Sequence, residues 1–122
     1  MHGSSSVPAA LVERVKAAGG EVEAGFGVPI SAIRRGIEHG VRKVNIDTDG
    51  RLAMTAAMRE LFRDNPGNWD PRGPGKASRQ AMKELVAQRM QELGMAGHAR
   101  DYEPLSLEQM GERYTAGVAA PA

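Results

Sequence analysis

Apolar residues recur at intervals of three and four positions along much of this 122-residue chain, which is the periodicity of amphipathic helices. The spacing predicts one helix between Pro8 and the glycine pair at 19–20, and a second between Pro29 and His39. Three further helices are predicted at residues 51–64, 77–93 and 107–116. A capping-box sequence, Ser-Leu-Glu-Gln, begins the last of them.

The apolar positions of the two longest predicted helices mark the faces that we expect to be buried. In the first they are Leu52, Met54, Ala57, Met58, Leu61 and Phe62. In the second they are Met82, Leu85, Val86, Met90 and Leu93, with Arg89 in the same stripe. We interpret the methionines as core filling, because the flexible thioether adapts to irregular gaps. The residues Lys76, Arg79, Lys83 and Arg89 are interpreted as a solvated basic face. Residues 68–75, rich in Pro and Gly, are predicted to be an irregular loop.

One segment has the character of a β-strand. Residues 41–46 (Val-Arg-Lys-Val-Asn-Ile) are rich in β-branched side chains and are bounded by glycine and by polar residues. A single strand has no neighbour for its backbone groups, and each buried group left unpaired costs about 1–3 kcal/mol. Either the chain is wholly helical, or the partners of this strand lie outside it. We favour the second interpretation.

The composition narrows the classes of protein to which the chain can belong. It contains no cysteine, which excludes disulfides, thiolate zinc sites and cysteine nucleophiles. Sixteen Lys and Arg against fifteen Asp and Glu leave a net charge of +1, which disfavours a small DNA-binding protein. No apolar run approaches the roughly 20 residues of a membrane helix, and the N-terminus lacks the pattern of a secretory signal. We therefore expect a cytoplasmic protein that binds neither nucleic acids nor membranes.

Two polar turns, each leading into a predicted helix, are the strongest candidates for a ligand site. The first, the serine turn, is residues 2–8 (His-Gly-Ser-Ser-Ser-Val-Pro), whose serines offer hydroxyl and N–H groups. The second, the aspartate turn, is residues 45–49 (Asn-Ile-Asp-Thr-Asp). The unpaired N–H groups and positive dipole end of a helix N-terminus form a ready site for an anion. The simpler interpretation is that both turns only cap their helices.

The three histidines do not make a chelate by themselves. His2, His39 and His98 lie far apart in the sequence, so no two of them fall within one helical turn. His2 has the chemistry of a metal ligand through its neutral imidazole. A lone histidine near a terminus is nevertheless typical of a protein surface. The glycines at 25–27 are not a dinucleotide fingerprint, because no strand precedes them.

Several motifs together resemble one enzyme family. They are the serine turn, the sequence His-Gly-Val-Arg-Lys-Val-Asn-Ile-Asp-Thr-Asp at 39–49, Arg-Leu-Ala-Met-Thr at 51–55, Asp-Pro-Arg at 70–72 and Ser-Leu-Glu-Gln-Met-x-Glu-Arg-Tyr at 106–114. In order and spacing the chain resembles class II fructose-1,6-bisphosphate aldolase, most closely its Calvin-cycle subtype, from residue 1 to about residue 117. That enzyme is a zinc-dependent (β/α)₈ barrel, a fold that usually needs roughly 250 residues.

The resemblance implies an α/β fold, of which this chain is the C-terminal portion and mostly helical by itself. Met1 and His2 would end the seventh barrel strand, and residues 41–46 would be the eighth. Residues 1–64 would hold the last barrel units, and residues 65–122 a C-terminal loop and helical extension. On this interpretation Met1 is an internal methionine of a longer sequence.

The resemblance also implies roles for individual residues. His2 falls on a ligand of the catalytic zinc. The phosphate of dihydroxyacetone phosphate would be bound by two groups of residues, Gly3, Ser4 and Ser5 from the serine turn and Asn45, Ile46, Asp47 and Thr48 from the aspartate turn. By the same resemblance, Lys76 lies near the position at which the family has a cationic residue that contacts the second phosphate across a subunit interface. The catalytic acid/base aspartate and the other metal ligands would lie upstream, so no catalytic residue is expected here.

The implied activity is the reversible aldol cleavage of fructose 1,6-bisphosphate to dihydroxyacetone phosphate and glyceraldehyde 3-phosphate. The resemblance further implies a monovalent cation near the phosphate site and a homo-oligomeric full-length enzyme. We expect the isolated chain to be inactive. The alternatives are a tagatose-bisphosphate aldolase of the same class and a non-catalytic helical interaction module. Gly50 departs from the family pattern, which usually has a larger residue there, and so does the loop at 70–78.

Overall fold

The computed structural model of this chain describes residues 1–23 and 25–117. Within those two ranges the chain forms five helices and no β-strand. The helices are α1 (Ala9–Ala17), α2 (Ile30–Glu38), α3 (Thr48–Asp64), α4 (Arg72–Glu92) and α5 (Leu107–Thr115). Every helix predicted from the apolar spacing is therefore present. Across the same ranges, no helix has the length and apolar character needed to cross a membrane.

The ends of three helices follow signals in the sequence. Gly19 after α1 and Gly40 after α2 have φ angles of 76° and 105°, a left-handed backbone that glycine adopts without a steric penalty. At the start of α5, the Ser106 hydroxyl accepts a hydrogen bond from the Gln109 N–H at 3.1 Å. The Gln109 side chain accepts one from the Ser106 N–H at 2.9 Å. The predicted capping box is confirmed.

Two helices begin earlier than the spacing predicts. Helix α3 begins at Thr48 rather than at residue 51, because the polar residues of the aspartate turn occupy its first turn. Helix α4 begins at Arg72 rather than at residue 77, so the prediction of an irregular loop is wrong for the residues from Arg72 onward. Pro74 is compatible with this start, since it lies in the first turn, where a backbone N–H has no helical partner.

The core lies where α3 packs against α1 and α4. Val12 and Val15 of α1 meet Leu52 and Ala56 of α3 in one buried apolar cluster. The small side chain of Ala56, which is fully buried, allows the two helices to approach closely. Helix α5 has no buried residue.

The buried face of α3 is narrower than predicted. Its buried apolar residues are Leu52, Ala53 and Ala56, whereas Phe62 at the far end of the helix is exposed. Met54 and Met58, which the apolar spacing also predicted to be buried, are only partly buried. The face in contact with α1 and α4 is therefore built largely from small residues, which periodicity alone did not identify.

The apolar stripe of α4 is mostly open to solvent. Leu85 is buried, but Met82, Val86 and Met90 are exposed. The prediction that Met82 and Met90 fill the core is therefore wrong. Together with Met54 of α3 they line an open apolar groove of about 740 Å³. In the described part of the chain, the outer sides of these apolar side chains are exposed to solvent.

The predicted strand at residues 41–46 is not a strand in the structure. It has one short pairing: the backbone nitrogen of Met1 donates to the Lys43 carbonyl at 2.7 Å, and the Asn45 N–H donates to the Met1 carbonyl at 3.0 Å. This is the bond pattern of a single step between parallel strands. Val44 and Ile46 line a pocket of about 200 Å³ against α4. The segment thus has a packed apolar side but lacks the neighbours that a β-ladder requires.

The close approach of Gly50 to Met82 leads to a prediction about stability. A Cβ atom added at Gly50 would lie 2.9 Å from Cε and 3.0 Å from Sδ of Met82. Gly50→Ala favours the helix by up to about 1 kcal/mol, but Met82 must move to admit the methyl group. We expect Gly50→Ala to raise the free energy of unfolding more in a Met82→Ala background than in the unmodified chain, as measured by urea denaturation.

Gly75 provides the matched control for that double-mutant cycle. It also lies in the first turn of a helix, α4, and no atom lies within 4 Å of a Cβ added there. Gly75→Ala should therefore have the same effect in both backgrounds. Equal effects of Gly50→Ala in both backgrounds would contradict the interpretation that Met82 occupies the space above Gly50.

Candidate functional site

The serine turn and the aspartate turn lie against each other at the N-terminus of α3. The Ser5 hydroxyl accepts hydrogen bonds from the N–H groups of Asp47 at 3.1 Å and Thr48 at 3.0 Å. Asp47 is the N-cap residue of α3 but makes no capping hydrogen bond with its own side chain. Ser5 therefore supplies, from the other turn, the acceptor that a capping residue ordinarily provides locally.

His2 and Asn45 form a second contact between the two turns. The amide Nδ2 of Asn45 lies 3.1 Å from Nδ1 of His2. When the amide donates, Nδ1 accepts and the proton of the neutral ring is on Nε2. The backbone bonds between Met1 and the 43–45 segment hold these two side chains side by side. Both contacts bring together residues that the sequence placed in one site.

Several donors of the serine turn are not used within the protein. The N–H groups of Gly3, Ser4 and Ser5 donate to no residue in the described ranges. The Ser4 hydroxyl is fully buried and also has no partner there. His2, Gly3, Asp47 and Thr48 are exposed, so the two turns present an open face rather than an enclosed cavity. Unused N–H groups beside a helix N-terminus suit a bound anion.

A buried ionic cluster lies directly behind this face. The carboxylate of Asp49, which is fully buried, accepts hydrogen bonds from the Ser6 N–H at 3.1 Å, the Ser6 hydroxyl at 2.8 Å and the Val7 N–H at 2.8 Å. Arg89 of α4 donates through Nη2 to Asp49 at 3.0 Å and to the Ser6 hydroxyl at 2.8 Å. The cluster links the two turns to α4.

Competing effects set the pKa of the Asp49 carboxyl. Burial alone would raise it, but the hydrogen bonds from Ser6, Val7 and Arg89 outweigh burial and hold the pKa below its ordinary value. Asp49 is therefore ionised at neutral pH and pairs with the Arg89 guanidinium. A buried carboxylate that is paired and multiply hydrogen-bonded satisfies the requirement for burying a charge.

Sequence reasoning missed the role of Arg89. It assigned Arg89 to a solvated basic face, whereas its side chain is buried against Asp49 and also pairs with Glu92. The signal was present, since Arg89 lies four residues from both Leu85 and Leu93 in the apolar stripe of α4. A cation inside an apolar stripe indicates a buried ion pair, because a buried charge needs a partner.

Two further predicted site residues lie away from these contacts. Ile46 lines the pocket against α4, with its side chain among apolar neighbours. Lys76 is exposed on α4, and its side chain makes no ion pair or hydrogen bond with any residue that the structure describes. Within residues 1–23 and 25–117, no three His, Asp or Glu side chains are close enough to hold a metal ion together. His2 would therefore be one ligand of an incomplete set.

The capping role of Ser5 makes a testable prediction. Ser5→Ala removes one acceptor from two N–H groups at the start of α3, and such capping losses typically cost about 1 kcal/mol. We expect the midpoint of urea denaturation to fall accordingly. Ser31→Ala in α2 is the control, since Ser31 is exposed and makes no side-chain hydrogen bond with a described residue. Equal losses for both variants would contradict the capping role.

Comparison with known proteins gives a family for this arrangement of turns and helices. The model for "Fructose-bisphosphate aldolase class-II" matches residues 1–98. The chain is 46% identical over 121 residues to fructose-bisphosphate aldolase 2 of Cereibacter sphaeroides, covering 99% of this chain and 34% of that protein. It is 44% identical over 120 residues to fructose-bisphosphate aldolase of Xanthobacter flavus, covering 98% of this chain and 34% of that protein.

A relative from a cyanobacterium gives the same result. The chain is 46% identical over 117 residues to fructose-bisphosphate aldolase of Nostoc commune, covering 96% of this chain and 33% of that protein. The chain thus spans about a third of the length of the curated relatives that it matches. The family model covers both turns, their contacts and helices α1 to α4. The chain belongs to the class-II fructose-bisphosphate aldolase family.

Proposed function

We propose that this chain is the C-terminal part of a zinc-dependent fructose-bisphosphate aldolase of the Calvin-cycle subtype. It supplies one metal ligand and the two phosphate-binding turns for reversible cleavage of fructose 1,6-bisphosphate to dihydroxyacetone phosphate and glyceraldehyde 3-phosphate. The observation that carries this proposal is the direct contact of the serine and aspartate turns at the N-terminus of α3. The relatives named as fructose-bisphosphate aldolases support the substrate.

The chemistry of the two turns suits a phosphate dianion. The N–H groups of Gly3 and Ser5 are donors without acceptors among the described residues, whereas Ser4 is fully buried and would reach a bound phosphate only after a shift of the turn. The positive end of the α3 dipole lies beside them. Asn45, Asp47 and Thr48 lie opposite, and the Asn45 side chain, which is in contact with His2, would also reach the triose.

His2 fits the role of one zinc ligand. It is exposed, and within the described residues only its Nδ1 has a partner, the Asn45 amide. A metal bound at Nε2 requires the ring proton to lie on Nδ1, which would then donate to the amide oxygen of Asn45 once that amide is turned over. When bound, zinc supplies Lewis-acid polarisation of the substrate carbonyl. In that state the Asn45 amide, which lies beside Nδ1 of His2, would hold the orientation of the imidazole ring. The other ligands and the acid/base aspartate belong to the part of the relatives that this chain does not match.

The fold that we propose for the complete enzyme is the (β/α)₈ barrel. Residues 1–2 and 41–46 would form the ends of its seventh and eighth strands, consistent with the parallel pairing step at Met1. Residues 65–122 would be the C-terminal extension. We further propose a cytoplasmic homo-oligomer in which Lys76 contacts the second phosphate of the neighbouring subunit. A monovalent cation near the phosphate site belongs to the same proposal.

Complementation tests the proposed function. The chain is mixed with the N-terminal two thirds of the Cereibacter sphaeroides relative, and zinc-dependent formation of triose phosphates from fructose 1,6-bisphosphate is measured. We expect activity in the mixture and none in either part alone, since the described residues hold only one of the required ligands. Activity of the purified chain alone, or none in a mixture that forms a complex, would contradict the proposal.

The same assay tests the choice of substrate. Tagatose 1,6-bisphosphate differs from the fructose substrate only in configuration at one carbon, so it reaches both phosphate turns equally well. We expect faster cleavage of the fructose bisphosphate. A preference for the tagatose substrate would move the chain to the related aldolase of the same class. Loss of activity on chelation, restored by zinc, tests the metal.

A further inference from the structure

We propose that Asp49 and Arg89 are positioning residues that hold the serine and aspartate turns together as one phosphate site. This inference rests on the proposed function. Asp49 directly follows the ligand-bearing residues of the aspartate turn, and Ser6 directly follows those of the serine turn. Their hydrogen bonds, at 2.8 Å and 3.1 Å, therefore lie immediately behind the proposed anion face.

The contacts on the open face are poor candidates for holding the turns in place. The bonds from Asp47 and Thr48 to Ser5 are exposed to solvent, as is the contact between Asn45 and His2. Water can replace such bonds, so the loss of one costs less than the loss of a partner in a buried ion pair. The hydrogen bonds to Asp49 are shielded from solvent and have a charged acceptor, so water does not replace them when they are lost.

The backbone of the serine turn needs this restraint. Val7 has a φ angle of 46°, the only positive φ of a non-glycine residue in the described chain. A β-branched residue in this left-handed region is strained, and such a conformation persists only where its surroundings impose it. The Val7 N–H donates to Oδ1 of Asp49 at 2.8 Å. Asp49 thus fixes the strained residue that turns the chain from the serine turn into α1.

Arg89 connects this restraint to α4. One guanidinium nitrogen, Nη2, bonds both to the Ser6 hydroxyl and to the Asp49 carboxylate, so it contacts both turns at once. A second nitrogen, Nη1, pairs with Glu92 of the same helix and fixes the orientation of the guanidinium group. A lysine ammonium is a single point charge and cannot make this set of contacts with the same geometry.

The experiment compares Arg89→Met with Arg14→Met in the 122-residue chain. Arg14 is a matched control, since it also pairs with a carboxylate across helices, Glu60 on α3 at 2.7 Å, but this pair is solvent-exposed and its side-chain hydrogen bonds go to neither turn. Amide hydrogen exchange is measured at Ser6, Val7, Asp47 and Thr48, and at Val15 and Ala56 in the core. Binding of inorganic phosphate is followed by the shifts of the same amides.

We expect Arg89→Met to accelerate exchange at the four turn amides about tenfold or more relative to the core amides. We expect its dissociation constant for inorganic phosphate to rise by about the same factor. Arg14→Met should change neither the ratio of turn to core exchange rates nor the dissociation constant for phosphate. Arg89→Lys should keep only part of the protection of the turn amides. A selective effect at the turns separates positioning from a general loss of stability, which would accelerate turn and core amides alike.

Three results would overturn the proposal. They are equal acceleration of turn and core amides in Arg89→Met, unchanged exchange at the turns, and turn amides without protection in the unmodified chain. Failure of the unmodified chain to bind inorganic phosphate is a different outcome. It would count against the proposed phosphate turns, while the exchange pattern would still decide whether Asp49 and Arg89 hold the turns together.

Discussion

Replacement of His2 by alanine is expected to reduce zinc-dependent cleavage by the complemented enzyme more than about 100-fold, the upper range for loss of a group that only orients a ligand. The reason is that His2 would contribute directly to the metal rather than through another residue. The zinc content of the complex, measured after dialysis, should fall together with the rate. Substrate saturation should not restore the rate, since the loss concerns the metal and not the affinity of the phosphate turns.

His39→Ala is the matched control for this experiment. His39 is also exposed, and it lies at the C-terminal end of α2 without a role in either turn. Its replacement should leave the zinc content and the rate within about twofold, because surface substitutions of this kind usually change stability by no more than about 0.5 kcal/mol. If His2→Ala retains full zinc content and rate, His2 is not a ligand and only the phosphate turns remain from the proposed site.

The apolar spacing predicted the helices well but the burial of their faces less well. Periodicity identifies a helix because it needs only the side chains of that helix. Burial depends on the neighbour that covers each face, and the described residues leave the outer sides of Met82, Val86 and Met90 exposed. The same explains the 41–46 segment, whose sequence is typical of a strand. Among the described residues its strand-like pairing is limited to the two backbone bonds with Met1, and its Val41 N–H donates instead to the Gly36 carbonyl of α2.

The candidate site, too, was predicted from the sequence in part: its polar residues were recognised, but the contacts between them were not. The polar residues of both turns were recognisable because Gly, Ser, Asn and Asp before a helix have a direct physical reason to be there. The contact between the turns could not be derived from spacing, since it joins Ser5 to Asp47 and Thr48 across about 40 residues of chain. The pairing of Asp49 with Arg89 spans a similar separation along the sequence. Its only signal in the sequence was a charged residue within the apolar stripe of α4.

Asp49→Asn is expected to lower the free energy of unfolding by about 3 kcal/mol at pH 7, within the range for breaking a buried ion pair by removing one partner. The asparagine removes one of the two carboxylates that pair with the buried Arg89 guanidinium, leaving only Glu92, and it supplies one acceptor oxygen in place of two. Total stabilities of domains are only about 5–15 kcal/mol, so the loss is a large fraction of the whole. Urea denaturation followed by circular dichroism measures it. Glu60→Gln, which removes the carboxylate of the exposed pair with Arg14, should cost no more than about 1 kcal/mol.

The pH dependence of the difference in unfolding free energy between the unmodified chain and Asp49→Asn identifies the cause of that difference. The pKa of Asp49 in the folded chain lies below its ordinary value, so the ionised carboxylate stabilises the fold at every pH above the unfolded value of about 3.9. This stabilisation is lost as the pH falls through the folded-state pKa, where the carboxyl becomes neutral like the amide that replaces it. The stabilities of the unmodified chain and of Asp49→Asn should therefore stay apart between about pH 5 and pH 8, begin to converge below about pH 4, and converge fully only below the folded-state pKa of Asp49. A difference that is the same at pH 3 and pH 7 would show that Asp49 contributes through its shape and hydrogen bonds alone, and that its charge does not stabilise the link between the two turns.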